Sequence, residues 1–452
     1  MDHTNTIFAL STPRGRGAVA VVRVSGPKTM QAIELITKKQ IPAPRQASLR
    51  HIVNPASGLL VDEALVLCFK GPNSYTGEDV AELQLHGGLA VVDEVLEILA
   101  DQSGLRPAGP GDFTRQAVIN GRLDLTRAEA VADLIDAETR AQKDQAVRQM
   151  RGALGQLYGG WRQRLSHALA HLEADIEFAD EDLPGGIGQA VLSDVAALTG
   201  EIEAHLTERR GRSLREGIEI ALVGAPNVGK SSLLNAIAGR EAAIVSARAG
   251  TTRDVIEVSL EIAGVPVVMA DTAGLREAGD EIEREGVRRA KKRAEEADLR
   301  LFVFAADQAG GAFQDNAVPV SSGDFVVLNK VDLDKSAAMG QGFPVEAGGT
   351  PWPVSAKTGD GMDALLAALE QTVAELFGLS DHPALTRKRH KLALEAALEA
   401  LRRALAATAD EAGLELVAED MRLAMREIGR ITGEVDVEAL LDIVFSDFCI
   451  GK

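Results

Sequence analysis

Cysteine is scarce: Cys68 and Cys449 are the only two in 452 residues. Two thiols cannot build a disulfide framework, and the composition fits a reducing cytoplasm. No apolar run reaches the roughly 18 residues that a membrane span requires. The opening stretch MDHTNTIFAL has no basic segment leading into a long apolar core, so no signal peptide is expected. Positive charge is in deficit too, with 48 Lys and Arg against 67 Asp and Glu, a formal net charge of -19. Such a chain repels nucleic acid on average, which argues against a protein that coats DNA or RNA. Local basic surface is available at Arg14 with Arg16, at Arg209 with Arg210 and Arg212, and along Arg387, Lys388, Arg389, His390 and Lys391. The bland reading of each is a solvated helix end or loop.

What is present is the length and pattern of a multidomain globular protein. The chain is too long for one core, and two or three domains are expected. Residues 1–120 alternate β-branched runs (AVAVVRVSG, ALVLCFKGPNS, VAELQLHGG) with turn signals, and LAVVDEVLEILADQSG reads as a helix, so an α+β domain is predicted. Residues 121–213 are helical in pattern, with Thr126 and Glu129 at capping-box spacing before a long run. Residues 214–378 alternate strands and helices, which implies a mostly parallel sheet covered on both faces. Residues 379–452 return to helix. The economical reading is a discontinuous all-α helical domain into which an α/β domain is inserted at surface loops.

The inserted segment carries nucleotide chemistry. Gly224-Ala225-Pro226-Asn227-Val228-Gly229-Lys230-Ser231-Ser232 fits G-x-x-x-x-G-K-[ST] between a strand-like run and a helix-like one. Backbone N–H groups there face phosphates, helped by the positive helix N-terminus. Lys230 is expected to reach the β- and γ-phosphates and Ser231 to ligate Mg²⁺. Gly250-Thr251-Thr252-Arg253-Asp254 offers a threonine for Mg²⁺. Asp271-Thr272-Ala273-Gly274 ends a strand, with Asp271 holding Mg²⁺ through water and the Gly274 N–H sensing the γ-phosphate. Asn329-Lys330-Val331-Asp332 supplies a carboxylate that accepts two N–H bonds, a pair guanine can donate and adenine cannot. Ser355-Ala356-Lys357 presents backbone N–H to the guanine O6. Each short motif is weak alone; their order, each at a strand end, specifies a Ras-like P-loop G domain that binds and hydrolyses GTP. The residue after Gly274 is Leu275, where Ras has a water-orienting Gln, so another group must position the water.

These pieces, with the C-terminal Cys449-Ile450-Gly451-Lys452 and the N-terminal motifs Arg23-Val24-Ser25-Gly26, Asn73 to Asp79, His86-Gly87-Gly88 and Asn120 to Leu125, closely resemble the MnmE/TrmE family over essentially the whole chain. The resemblance implies an N-terminal folate-binding domain that forms a homodimer, acting with an FAD-dependent partner protein in a heterotetramer. The pair would install an aminomethyl or carboxymethylaminomethyl group on carbon 5 of the wobble uridine of certain tRNAs. The one-carbon unit would come from 5,10-methylene- or 5-formyl-tetrahydrofolate. It further implies K⁺ in place of an arginine finger, with ligands at Asn227, Ser246, Arg248 and Thr251, and Mg²⁺ at Ser231 and Thr252. The nucleotide loop would include Ala247, Ala249 and Gly250. Glu283 would be the catalytic acid that orients water, Arg23, Glu82, Arg122 and Lys452 would contact folate, and Cys449 would act near that pocket. Without the resemblance, Glu283 reads as a helix N-terminal carboxylate and Cys449 as a buried structural thiol or, poorly, a prenylation site. Ser246 and Arg122 stand where a compared relative has Thr and Lys, and Arg248 stands where an apolar residue is expected. The competing function is a ribosome-assembly GTPase, which would be expected to carry a second G domain or a basic RNA-binding domain; neither is visible.

Overall fold

A computed structural model describes residues 5–177, 187–208, 210–243, 256–271, 291–306, 319–333, 351–378, 383–409, 414–435, 441–442, 444–445 and 448–451. The chain divides into two compact units, one of residues 1–135, 147–202 and 392–452, the other of 136–146 and 203–391.

The first unit opens on a six-stranded sheet. In chain order its elements are β1 (Thr6–Leu10), β2 (Val19–Ser25), α1 (Thr29–Thr37), β3 (Ser48–Val53), β4 (Leu60–Phe69), β5 (Val80–His86), α2 (Leu89–Ala100), β6 (Leu105–Pro107) and α3 (Asp112–Ile119). The strand order is β3-β4-β5-β2-β1-β6, with β6 parallel to β1 and the other neighbours antiparallel. Alternation along β2 and β5 sends Val22, Val24, Leu83 and Leu85 to one face, where Ile33 and Ile36 of α1 and Val95 and Leu99 of α2 close a core. The opposite face carries Arg23 and Glu82, and over it Phe113 of α3 packs on Ile7 and Ala9.

Helices follow: α4 (Leu125–Ile135), α5 (Arg140–Met150), α6 (Ala153–Glu177), α7 (Ile187–Thr207) and α8 (Arg210–Glu216). The N-cap of α4 is Asp124, two residues before the expected Thr126. The Asp124 carboxylate accepts from the Arg127 N–H at 2.9 Å and from Thr126 Oγ1 at 2.6 Å. The single long helical run splits at 136–139 and again at 151–152, after which α6 begins.

The second unit is built on β7 (Ile218–Val223), α9 (Lys230–Ala238), β8 (Ala242–Ala243), β9 (Ile256–Ile262), β10 (Val265–Asp271), β11 (Leu299–Ala305), β12 (Phe325–Asn329), β13 (Trp352–Pro353) and α10 (Met362–Phe377). Its seven strands lie in the order β13-β12-β11-β7-β10-β9-β8. β13, β12, β11, β7 and β10 are parallel, and β9 runs antiparallel to β10. A parallel strand is buried on both faces, which is why β11 (LRLFVFA) reads as a continuous apolar run. This is the α/β G-domain fold expected from the motifs.

Two long helices, α11 (Lys388–Ala409) and α12 (Leu414–Thr432), follow the second unit's sheet in the chain. On α12 the buried Val417, Met421, Ala424 and Ile428 recur at helical spacing and face α6. The Arg422–Glu173 pair (2.7 Å) ties α12 to α6 at the surface. Among the described residues no helix is long and apolar enough to cross a membrane.

Candidate functional site

The described residues expected to bind nucleotide gather at the C-terminal ends of β7, β10 and β12, the edge where open α/β sheets take ligands. β7 ends at Val223 and α9 begins at Lys230, so residues 224–229 form the loop that feeds backbone N–H groups into a helix N-terminus. Gly229 has φ +96°, and a Cβ there would stand 2.3 Å from Asn329 Nδ2. Only glycine fits the loop against the β12 end. Asn227 is also left-handed, with φ 64°, a conformation Asn tolerates better than most residues.

Lys230 is buried, and its ammonium donates to the carbonyls of Gly224 (2.6 Å) and Ala225 (2.8 Å). Burial pulls its pKa down, while the charge of Asp271 works in the opposite direction. An ammonium held by neutral carbonyls beside a buried carboxylate is poised to take a phosphate oxygen instead. Ser231 Oγ donates to Asp271 Oδ2 at 2.5 Å, bringing together a hydroxyl and a carboxylate from α9 and β10. Hard oxygen donors of this kind suit Mg²⁺.

Asn329, 2% exposed, works as a staple. Its Nδ2 donates to the Val228 carbonyl (3.1 Å) in the phosphate loop, and its Oδ1 accepts from the N–H groups of Lys330 (2.8 Å) and Ala356 (3.1 Å). One buried amide thereby registers three loops against one another. Asp332 accepts from Ser355 Oγ at 2.7 Å, and the Thr358 N–H donates to the same hydroxyl at 3.1 Å. Asp332, Ser355 and Ala356 therefore form one cluster, with Lys357 next in the same turn.

A second constellation lies in the first unit. Arg23 and Glu82 sit directly opposite on β2 and β5, and the guanidinium reaches Glu82 Oε1 at 2.8 Å through Nη2 and 3.1 Å through Nε. The guanidinium lies 5.5 Å from the Tyr75 ring centre and 5.6 Å from that of Phe113. Tyr75 Oη pairs with Thr114 Oγ1 at 2.8 Å; burial raises the Tyr75 pKa, opposed by that bond and by the charge of Arg23. On the turn after Tyr75, Thr76 Oγ1 meets Ser25 Oγ at 2.7 Å, and Ser25 Oγ lies 3.4 Å from Glu78 Oε2. Burial raises the Glu78 pKa. Arg122 flanks this turn, since a Cβ on Gly77 would come within 3.2 Å of Arg122 Cγ.

The chain's C-terminal residues return to this sheet. Ile450 bridges Pro110, Ser11 Oγ donates to the Gly451 carbonyl at 3.0 Å, and the Gly111 N–H donates to the Cys449 carbonyl at 3.3 Å. Phe445 and Phe448 bury against Leu125 and Ala128 to hold the segment down. Ser11 follows Leu10, whose partner Val22 adjoins Arg23 in β2. Cys449 is exposed, unlike the buried structural thiol that was one reading of it, and Cys68 is buried in the sheet core. Arg14, a candidate basic surface residue, pairs with Asp93 at 3.0 Å.

Several sequence-predicted residues lie outside the described ones: Ser246, Ala247, Arg248, Ala249, Gly250, Thr251, Thr252, Thr272, Ala273, Gly274, Glu283 and Lys452. Of the proposed K⁺ ligands only Asn227 is described. Sequence reasoning did not single out Tyr75, Phe113 and Thr114 around Arg23. Tyr75 lies inside a recognised motif and was open to notice; Phe113 reaches Arg23 only through the packing of α3.

Comparison with known proteins gives two family matches. The model for the GTP-binding protein TrmE N-terminus matches residues 6–122, and that for the MnmE helical domain matches residues 125–449. The chain is similar to tRNA modification GTPase MnmE of Parvibaculum lavamentivorans, 53% identical over 99% of this chain and 100% of that one. A second protein of that name, from Paramagnetospirillum magneticum, is 51% identical over 99% of this chain and 100% of its own length. The mitochondrial 5-taurinomethyluridine-[tRNA] synthase subunit GTPB3 of Danio rerio is 45% identical over 99% of this chain and 93% of its own.

Proposed function

Since this chain belongs to the MnmE/TrmE family of tRNA modification GTPases, and is therefore a GTP hydrolase of tRNA modification, we propose that it takes part in group transfer to carbon 5 of the wobble uridine. It acts with an FAD-dependent partner protein, as a homodimer within a heterotetramer. The carbon unit comes from a reduced folate bound on the first unit's sheet. The supporting observation is the Arg23–Glu82 pair, aligned across β2 and β5 under two aromatic rings, with Cys449 to Gly451 bonded to the edge of the same sheet.

The donors fit such a ligand. A planar heterocycle can lie against Tyr75 and Phe113, Glu82 can accept ring N–H groups, and Arg23 and Arg122 can pair with the carboxylates of a glutamate tail. A reduced folate supplies a one-carbon unit at the formaldehyde or formate level; this chain's residues bind and orient it. Lys452 and Cys449 are assigned to the same pocket as ligand contact and functional thiol.

In the G domain, Lys230 takes the β- and γ-phosphate oxygens, and Ser231 with Thr252 ligates Mg²⁺, which supplies charge neutralisation at those oxygens. Asp332, Ser355, Ala356 and Lys357 read guanine. Asn227, Ser246, Arg248 and Thr251 would hold K⁺, which would supply the positive charge that an arginine supplies in other GTPases, and Glu283 positions the attacking water because Leu275 cannot. Calorimetry of the full chain with 5-formyl-tetrahydrofolate tests the transfer reading. Saturable binding that Arg23→Ala weakens by tenfold or more is expected; no heat with any reduced folate refutes it.

A further inference from the structure

Four arginines lie close together in the fold where Arg127 of α4 links the turn after α3 to the end of α5. Arg127 donates from Nε to the Met150 carbonyl at 3.0 Å and from Nη1 to the Arg122 carbonyl at 3.5 Å. Arg151 follows Met150 in the chain, and Arg148 stands one helical step earlier on the same side. The Arg151 N–H bonds to the Val147 carbonyl, so the helical turn that aligns the two is closed. Arg122, Arg148 and Arg151 are exposed, and among the described residues none of the four has a carboxylate partner. Asp124, the acid between Arg122 and Arg127 in sequence, is engaged as the N-cap of α4.

Structural roles account for part of this. Cations are favoured at a helix C-terminus by about 0.3–1 kcal/mol each, which covers Arg148 and Arg151, and Arg127 satisfies an end carbonyl of α5. They do not account for Arg122, which lies on a turn outside any helix and whose carbonyl accepts from Arg127. Nor do they account for the lack of carboxylates on a chain with a net charge of -19, where Arg14, Arg115, Arg164, Arg403 and Arg422 are each paired with an acid. The cluster also borders the turn that carries Tyr75. Asn120 Nδ2 donates to the Thr76 carbonyl at 2.7 Å, and Arg122 packs beside Gly77.

We infer that Arg122, Arg127, Arg148 and Arg151 form a phosphate-binding surface that seats the sugar–phosphate backbone of the substrate tRNA beside the Tyr75 turn. The guanidinium fork matches two phosphate oxygens and keeps its charge at every relevant pH. Arg127 keeps donors to spare beyond the two it uses. Contacts of this type carry affinity and position, not sequence, so they seat tRNAs of differing sequence in one register. The inference rests on tRNA being the substrate; Arg122 is shared with the folate reading, so the test leaves it in place and changes only Arg148 and Arg151.

The test uses the full chain and an unmodified transcript of a tRNA with uridine at the wobble position, titrated at several salt concentrations. Each phosphate contact contributes roughly 0.7–0.9 to the slope of log affinity against log salt. Arg148→Glu with Arg151→Glu is expected to weaken binding about tenfold or more and flatten the slope by about 1.4–1.8. GTP hydrolysis without tRNA stays unchanged, which also reports that the protein is folded. The Arg148→Lys with Arg151→Lys protein retains most of the affinity; Arg148→Gln with Arg151→Gln serves if charge reversal perturbs folding. Unchanged affinity and slope overturn the proposal. So does unchanged tRNA binding with weaker binding of a polyglutamyl folate, which would make the surface a cofactor-tail site, or with weaker binding of the partner protein.

Discussion

Removing the Asn329 side chain tests whether one buried amide orders the nucleotide site. Asn329→Ala deletes a donor to the Val228 carbonyl and an acceptor for the N–H groups of Lys330 and Ala356. Lys330 and Ala356 are partly exposed, so water can replace their partner. Val228 is 1% exposed, and its carbonyl loses a donor that water does not replace. One orphaned buried group costs about 1–3 kcal/mol, with about 2 as the central value. Because the same loops cradle phosphate and guanine, most of that loss should appear as nucleotide affinity. About 2 kcal/mol is roughly thirtyfold in Kd. Stopped-flow titration with fluorescent GDP and GTP analogues should show both weakened alike, because the loops that the staple joins are needed by both nucleotides. Asn329→Asp keeps the acceptor but sets a buried carboxylate against the Val228 carbonyl, and should weaken binding at least as much. If Asn329→Ala binds GDP within about threefold of the parent, a range surface changes reach, the staple does not order these loops.

Three further outcomes follow from the site. Asp332→Asn should shift preference from GTP toward xanthosine triphosphate, read by competition binding, because an amide presents a donor where guanine requires an acceptor; retained GTP preference would refute the assignment. K⁺ but not Na⁺ should accelerate hydrolysis by about tenfold or more, and Glu283→Ala should lower the rate while leaving GTP affinity nearly intact; equal rates in the two salts would remove the cation from the mechanism. Iodoacetamide at pH 8 should label Cys449 and spare Cys68. Burial pushes the Cys68 thiol up to about 11, so it stays protonated at every pH well below that value, whereas Cys449 is exposed. Mass mapping that finds Cys68 modified in the folded protein would contradict the burial.

Local order made much of this protein legible in advance. The phosphate loop lies between an apolar strand and an amphipathic helix because glycine, lysine and serine at fixed spacing serve a backbone geometry that is itself local. The parallel strands declared themselves as uninterrupted apolar runs, since both their faces are buried. Resemblance carried the N-terminal motifs, which no periodicity alone would have joined to a function.

Other features depend on residues far apart in the chain. Arg23 and Glu82 are 59 positions apart and meet only through the antiparallel register of β2 and β5. Phe113 joins them because α3 folds onto that face, and Gly451 lies against Ser11 across 440 positions because Phe445 and Phe448 find a pocket by Leu125. Even the cap of α4 went to Asp124 over Thr126, a choice set by which oxygen the turn after α3 aims at the first free N–H groups. The arginine surface is the fullest case. No run of basic residues marks it in the sequence, and it exists because a side chain on α4 reaches the last carbonyls of α5. Sequence determines what each segment can do alone, through spacing and burial pattern. Only the packed structure decides which segments share a site, because that depends on strand register and helix placement that no short stretch encodes.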